Sequence, residues 1–206
     1  MIKAIFFDLY NTILGFDPPR EEIQALACGE LGIEVDREAI KRAYPVADDF
    51  LARENSLSPV EKRPEEEQRR LYAQYERLLL REAGVEVSQE TASQVFSQLR
   101  QLRRGFALFD DVLPTLSLLK GRGLLLGLIS NLHRDLEGLC ERLGLAPYFD
   151  FLLTAQEAGA EKPDPRIFLA ALERAKVSPA EALHVGDGYY ADVLGARGVG
   201  IKALLI

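Results

Sequence analysis

The chain has 206 residues, 48% of them hydrophobic, and a formal net charge of −7 at pH 7. This length and apolar content suffice for the core of one large domain, or of one domain that carries an insertion. The acidic balance argues against nucleic acid as a partner, because binding to its phosphates relies on clustered lysine and arginine, and no apolar run approaches the ~18–20 residues that cross a membrane.

The first predicted element is a strand over residues 2–7, an apolar run broken once by Lys3 that suits a sheet covered on both faces. From residue 18 to about residue 104 the apolar side chains recur at helical spacing, and no strand is predicted. Breaks are expected at Gly32, Pro45, Pro59, Pro64 and Gly84. They divide this stretch into about four helices, as in a small bundle.

After residue 105 the predicted helices and strands alternate. The helices are expected at residues 112–120, 135–143, 165–176 and 191–197, and the strands at 124–129, 151–154, 182–185 and 202–206. This alternation predicts the α/β class, with a doubly wound, mainly parallel, Rossmann-like sheet. The strand at 2–7 has no partner nearby in sequence, so it must pair with strands that come after residue 120. Residues 1–15 and 105–206 therefore form the predicted core, and residues 16–104 form an inserted helical cap with Gly15 and Gly105 as candidate hinges.

Polar residues follow the predicted core strands at the points where these strands end. They are Asp8, Asn11 and Thr12 after the first strand, then Ser130 and Asn131, then Lys162, and finally Asp187 and Asp192. In an open α/β sheet the ligand lies beyond the carboxyl ends of the strands, so these side chains are expected to converge. Carboxylates suit Mg²⁺, while a lysine and hydrogen-bond donors suit a phosphoryl group. The sequence therefore predicts a site for magnesium and a small phosphorylated molecule.

Four segments also have a characteristic order and spacing. They read Asp8-Leu9-Tyr10-Asn11-Thr12, Leu128-Ile129-Ser130-Asn131, Glu161-Lys162-Pro163-Asp164-Pro165, and Gly186-Asp187 followed by Asp192. In these motifs the whole chain resembles the haloacid dehalogenase-like superfamily, in the subclass whose helical cap follows the first core strand. The resemblance implies a magnesium-dependent hydrolase that acts through a covalent aspartyl intermediate on a small phosphate monoester.

The resemblance also implies a role for each motif residue. Asp8 is the expected nucleophile, and Lys162 compensates charge on Asp8 and on the transferred group. The expected metal ligands are Asp8, the backbone carbonyl of Tyr10, Asp187 and Asp192. The expected substrate-binding residues are Thr12, Ser130, Asn131 and Lys162.

Tyr10 departs from the phosphatases of this superfamily, which carry here a second aspartate that protonates the leaving group and later activates water. The dehalogenases of the superfamily have tyrosine at this position, because a departing halide needs no proton. They usually lose the Gly-Asp of the last motif, however, whereas Gly186, Asp187 and Asp192 are all present. The leading hypothesis is therefore a phosphatase, with Tyr10 also a candidate catalytic residue. A 2-haloacid dehalogenase and a weakly active phosphate-binding or regulatory protein remain as alternatives.

The sequence contains two histidines, and neither is assigned to the site. His184 falls in a predicted strand and is expected to be a packed, hydrogen-bonded core residue, while the role of His133 is left open. The two cysteines, Cys28 and Cys140, lie in predicted helices, so a cytoplasmic location is expected rather than a disulfide framework. The protein is expected as a monomer or homodimer without nucleic-acid or membrane partners.

Overall fold

The structure is a computed structural model that describes residues 1–103, 105–132 and 135–206. His133, whose role the sequence left open, lies outside the described residues. By its internal contacts the chain divides into two compact units, one of Met1–Gly15 with Ala107–Ile206 and one of Phe16–Phe106. The role of residues 16–104 as a cap stays a prediction.

The first unit contains the core strands and the helices that connect them, and the second unit is mainly helical. The core strands are β1 (Ala4–Phe7), β4 (Leu125–Ser130), β5 (Phe151–Thr154), β6 (Ala182–Gly186) and β7 (Lys202–Leu205). The core helices are α5 (Val112–Gly121), α6 (Leu136–Arg142), α7 (Ala155–Ala158), α8 (Pro165–Ala175) and α9 (Gly195–Gly198). The second unit contains α1 (Arg20–Gly29), α2 (Arg37–Leu57), α3 (Glu65–Glu82) and α4 (Gln89–Leu99).

The core strands form one five-stranded sheet in the order β5-β4-β1-β6-β7, and each neighbouring pair is parallel. In the central strand Phe7 pairs with Leu128 of β4 on one side and with Val185 of β6 on the other. The strand order reverses at β1, and the ligand of an open α/β sheet lies at such a reversal. The predicted α/β fold with a mainly parallel sheet is confirmed.

The central strands β1, β4 and β6 are buried on both faces, as their apolar sequences indicated. Ile5 and Phe7 of β1 pack into a cluster with buried residues of α5 and α6. Ala4 and Phe6 point to the other face and pack with buried residues of α8 and α9. Because successive side chains of a strand alternate between faces, this four-residue strand contributes to both layers of the core. The sheet is thereby fixed between two layers of helices.

The second unit is a bundle of four helices in which each helix packs against the next and α1 packs against α4. Its apolar centre includes Ala27, Ile40, Leu80 and Val95, one from each helix. The side chains of Asp36 and Ser88 accept hydrogen bonds from backbone N–H groups in the first turns of α2 and α4. These bonds cap the N-termini of the two helices and stabilise their first turns.

Pro45 does not end a helix, so this predicted break is wrong. α2 runs from Arg37 to Leu57 with Pro45 inside it. A proline in a helix interior removes one backbone hydrogen bond, and the freed carbonyl is tolerated most easily where water reaches it. Pro45 is exposed, whereas Ala43 and Ala47 are buried in the bundle, so packing of the apolar face keeps α2 continuous.

Two short strands were not predicted. β2 (Leu14–Asp17) and β3 (Gly105–Leu108) pair as a separate two-stranded sheet. Gly15 and Gly105, the candidate hinges, lie in these strands. Each strand is short and contains a glycine, a residue that is depleted in strands, so neither resembles the longer apolar runs that marked the core strands.

The last predicted helix has a different form from the one expected at residues 191–197. A π-helical turn covers Tyr189–Leu194, and the short α9 follows it. The backbone N–H groups of Asp192 and Val193 both donate to the Gly188 carbonyl, at 2.8 and 3.2 Å. Single π-helical turns occur frequently at functional sites, and this one carries Asp192. Across the described residues no helix has both the length and the hydropathy needed to span a membrane.

Candidate active site

The predicted site residues converge at the carboxyl edge of the core sheet. Asp8 directly follows β1, and its backbone N–H donates to the Val185 carbonyl of β6 at 2.9 Å. Ser130 is the last residue of β4, and Asp187 directly follows β6. Because these strands are neighbours and parallel, their ends bring the side chains to the same edge. All of these residues belong to the α/β unit.

Lys162 lies at the centre of this cluster and joins two carboxylates. Its Nζ donates to Oδ1 of Asp8 and, at 2.7 Å, to Oδ1 of Asp192. The three residues are buried, with exposed fractions of 8% for Asp8, 4% for Lys162 and 3% for Asp192. A buried ammonium is expensive unless it is paired, so the two carboxylates are what allow a lysine here. Burial alone would lower the pKa of Lys162, but Asp192 and Asp8 outweigh it and raise this pKa.

The two carboxylates beside Lys162 differ in their affinity for protons. Burial raises the pKa of Asp8 to about 6 against the opposing charge of Lys162, and Asp192 and Asp187 add to the rise. Burial also opposes ionisation of Asp192, yet Lys162 and His184 lower its pKa below the usual range. The difference arises because the charges of Asp192 and Asp187 disfavour ionisation of Asp8, whereas the charge of Lys162 and hydrogen bonds from His184 and Lys162 favour the ionised form of Asp192. Asp192 is therefore the firmly ionised member of the pair.

Three carboxylates of this edge are close enough to share one cation. One oxygen from each of Asp8, Asp187 and Asp192 can be chosen so that all three lie within 4.8 Å of one another. Asp187 is also held from the side, because Nδ2 of Asn11 donates to its Oδ2 at 3.0 Å. Asn11 adopts a left-handed backbone conformation with φ of 57°, which asparagine tolerates better than most residues. Oxygen ligands in such an arrangement suit a hard divalent cation.

Asn131 positions the backbone of Lys162. Its Oδ1 accepts from the Lys162 backbone N–H at 2.7 Å, and its Nδ2 donates to the Lys162 carbonyl at 3.1 Å. Both polar ends of the amide are thus engaged with the same residue, which fixes the loop that carries the lysine. The predicted contact between Asn131 and substrate stays a prediction.

The two hydroxyl residues predicted to bind substrate are both buried. Ser130 is 1% exposed, and its Oγ accepts from the backbone N–H of Leu132 at 3.2 Å. Thr12 is 7% exposed, and its hydroxyl has no hydrogen-bond partner among the described residues. A buried hydroxyl without a partner costs free energy, so Thr12 is suited to a further polar group. The side chain of Tyr10 is half-buried and packs against the apolar cluster of β1, α5 and α6.

His184 contacts the site, which the sequence did not indicate. It was expected to be a packed core residue, and it is fully buried on β6. Its Nε2 lies 2.8 Å from Oδ1 of Asp192. In the sequence, the one indication that His184 contacts the site was its position two residues before Gly186-Asp187. Strand periodicity alone does not identify the partner of a buried histidine.

Gly186 makes room for Asp192. A Cβ atom at position 186 would lie 2.4 Å from Cγ of Asp192, far closer than packed atoms approach. The glycine of the Gly-Asp motif is therefore required by the close approach of a side chain.

Comparison with known proteins identifies the family of the chain. A family model described as haloacid dehalogenase-like hydrolase matches residues 2–200. The chain belongs to this family, so it is a hydrolase of the haloacid dehalogenase-like superfamily and the resemblance seen in its motifs is confirmed.

Particular relatives carry more specific names. The chain is similar to haloacid dehalogenase-like hydrolase domain-containing protein 3 of Homo sapiens, with 33% identity over 100% of this chain and 82% of that protein. It is 30% identical to glyceraldehyde 3-phosphate phosphatase of Methanopyrus kandleri, over 100% of this chain and 84% of the relative. Among solved structures, 2-haloacid dehalogenase of Pseudomonas syringae is 31% identical, with a TM-score of 0.54 over 100% of this chain and 86% of that one.

Proposed function

We propose that the protein is a magnesium-dependent phosphatase that hydrolyses small phosphate monoesters, with Asp8 as the covalent nucleophile. The observation that carries the proposal is the grouping of Asp8, Asp187 and Asp192, of which Asp8 and Asp192 also accept hydrogen bonds from the Lys162 ammonium. Similarity to a relative named as a glyceraldehyde 3-phosphate phosphatase supports the same reaction class.

The charge of the cluster fits a divalent cation. With its three carboxylates ionised and Lys162 protonated, the group carries a net charge of −2. A phosphate ester brings further negative charge, so the site needs a cation beyond Lys162 before it can accept one. Asp8, Asp187 and Asp192 would hold this Mg²⁺, together with the backbone carbonyl of Tyr10. When bound, Mg²⁺ would neutralise charge between the nucleophile and the phosphoryl group and favour the ionised form of Asp8.

The protein's own residues then divide the remaining work. An oxygen of Asp8 attacks phosphorus, the bond from phosphorus to the ester oxygen breaks, and water later cleaves the aspartyl phosphate to release phosphate. Lys162 uses two of its three N–H groups on Asp8 and Asp192 among the described residues, which leaves one for a phosphoryl oxygen. The hydroxyls of Ser130 and Thr12 are candidate donors to the other oxygens.

Tyr10 supports a second candidate, a 2-haloacid dehalogenase. A halide leaves without a proton, so that reaction needs no acid at this position. A solved 2-haloacid dehalogenase is also among the similar structures. The three grouped carboxylates favour the phosphatase, since they suit a bound cation, whereas a dehalogenase that acts without a metal would leave them to repel its anionic substrate. General acid catalysis contributes ~10²–10⁴ in rate. Because Tyr10 replaces the usual acid, we expect a phosphatase that hydrolyses esters with good leaving groups fastest.

The test is hydrolysis of p-nitrophenyl phosphate with and without Mg²⁺. We expect magnesium-dependent turnover that is lost in Asp8→Asn and kept in Asp110→Asn, an exposed aspartate of the same unit. Release of chloride from 2-chloropropionate without magnesium, and no phosphate release, would establish the dehalogenase instead. Absence of both activities, together with magnesium binding, would indicate the regulatory protein.

The cellular setting is part of the proposal. We infer a cytoplasmic location, supported by Cys28 and Cys140, which are buried and not joined in a disulfide. We also propose that residues 16–104 form a cap, and that the protein is a monomer or homodimer without nucleic-acid partners.

A further inference from the structure

His184 is held rigidly inside the core. The side chain is fully buried on β6, the strand that leads into Gly186-Asp187. Its ring meets that of Phe168 edge-on, with centroids 5.2 Å apart and an interplanar angle of 87°. A fully enclosed ring packed in this way has little freedom to rotate. The direction of its Nε2 atom is therefore set by packing.

That atom is directed at Asp192. The distance from Nε2 to Oδ1 of Asp192 is 2.8 Å, and a carboxylate only accepts hydrogen bonds, so the proton of the pair lies on Nε2. This tautomer leaves Nδ1 with a bare lone pair, and Nδ1 has no hydrogen-bond partner among the described residues. An unpaired lone pair is tolerated in a buried site more readily than an unpaired N–H.

Both oxygens of Asp192 are engaged from the protein side. Oδ1 accepts from His184 and from Lys162 Nζ, and Oδ2 accepts from the Gly188 backbone N–H at 3.0 Å. The Gly188 N–H holds Oδ2, so the plane of the carboxylate is set by the donors on Oδ1. Of these two donors, Lys162 is carried on a flexible four-carbon stem, whereas the His184 ring is held by its packing against Phe168. His184 is therefore the rigid donor that sets the position of Oδ1.

We propose that His184 is a positioning residue of the active site: its Nε2–H fixes Asp192, and Asp192 fixes the Lys162 ammonium against Asp8. The inference rests on the proposed function, because it assigns His184 a part in the reaction of Asp8. A hydrogen-bonding partner that orients a metal ligand or a charged group improves binding and catalysis. Loss of that supporting partner typically costs ~10–100-fold in activity or metal affinity.

The competing explanation is that His184 only fills space beside Phe168. The two explanations make opposite predictions for two variants. His184→Phe keeps an aromatic ring in the core and removes the donor. His184→Gln loses the ring and keeps an N–H donor at similar reach. If His184 positions Asp192, the glutamine variant is the more active, and if it only packs, the phenylalanine variant is.

The experiment measures kcat and KM for p-nitrophenyl phosphate and the rise in melting temperature caused by MgCl₂. We expect His184→Phe to lower kcat roughly 10–100-fold with KM changed by less than about threefold, and to weaken the effect of magnesium, while His184→Gln restores both. Circular dichroism and melting temperature without magnesium confirm folding. Equal kcat and an equal magnesium effect in wild type and His184→Phe would overturn the proposal.

A measurement on the unmutated chain separates this inference from the proposed function. With two histidines in the sequence, ¹⁵N NMR of the imidazoles can be assigned by comparison with His133→Gln. We expect the His184 proton on Nε2 and a change in its signal in Asp192→Asn. The inference would be overturned, even if the protein is an active phosphatase, by a His184 proton on Nδ1 instead of Nε2 or by a His184 signal that does not change in Asp192→Asn. The protein could also give the expected NMR result and the expected magnesium effects but show no phosphatase activity. That outcome would support the positioning role of His184 and refute the proposed reaction.

Discussion

Glu76 offers a quantitative test of how the helical unit is stabilised. The side chain is fully buried on α3, and one carboxylate oxygen accepts from Nε2 of Gln24. The other oxygen, Oε2, has no hydrogen-bond partner among the described residues. Burial raises the pKa of Glu76 from 4.5 to about 7, against the smaller opposing effect of the bond from Gln24. The substitution Glu76→Gln keeps the shape of this side chain and removes its charge.

The sign and size of the effect follow from linkage. Below pH 4.5 the carboxyl group is protonated in both folded and unfolded chains and has no pH-dependent effect. As pH rises toward 7 the unfolded chain releases its proton first, so the free energy of unfolding falls. Above a pKa of about 7 the folded chain carries the whole penalty, roughly 3 kcal/mol at ~1.4 kcal/mol per pKa unit.

The assay is urea denaturation followed by circular dichroism between pH 5 and pH 8. Relative to Glu76→Gln, wild type should lose about 2–3 kcal/mol of unfolding free energy across this range. Glu67→Gln, an exposed glutamate in the same helix, is the matched control and should follow wild type. Parallel curves for wild type and Glu76→Gln, within about 0.5 kcal/mol, would show that the buried carboxyl group has no raised pKa.

The remaining predictions concern the active site. MgCl₂ should raise the melting temperature of wild type, by an amount that corresponds to ~2.7 kcal/mol at a hundredfold excess over Kd, and Asp187→Asn should remove most of the effect. An unchanged melting temperature in wild type would contradict the metal site. Gly186→Ala should lower kcat for p-nitrophenyl phosphate at least about tenfold, because the added methyl would displace Asp192, and a variant as active as wild type would show that this loop adapts. Tyr10→Asp should speed alkyl phosphate hydrolysis about tenfold and p-nitrophenyl phosphate hydrolysis far less, because only the alkoxide needs a proton. An alkyl phosphate rate that is unchanged or lower would argue against the missing acid.

The α/β core was predictable because its signals are local. A strand buried on both faces must be apolar along its length, which is why β1 and β4 were recognisable. Parallel strands in one sheet end at a common edge, so Asp8, Ser130 and Asp187 could be grouped without coordinates. Pro45 shows where local signals fail, because a rule about helix interiors was outweighed by the burial of Ala43 and Ala47 in the bundle.

The alternation of strands and helices, the family, and the group of acids and lysine at the sheet edge could all be inferred from the sequence, because each depends on residue type and spacing along the chain. The way in which these groups are held became visible in the three-dimensional structure. It assigned both ends of the Asn131 amide to the Lys162 backbone, placed Asp192 on a π-helical turn against Gly186, and directed His184 at Asp192. Periodicity along one element could not show this, because hydrogen bonds and close packing depend on differences of a few tenths of an ångström in the spacing between different elements.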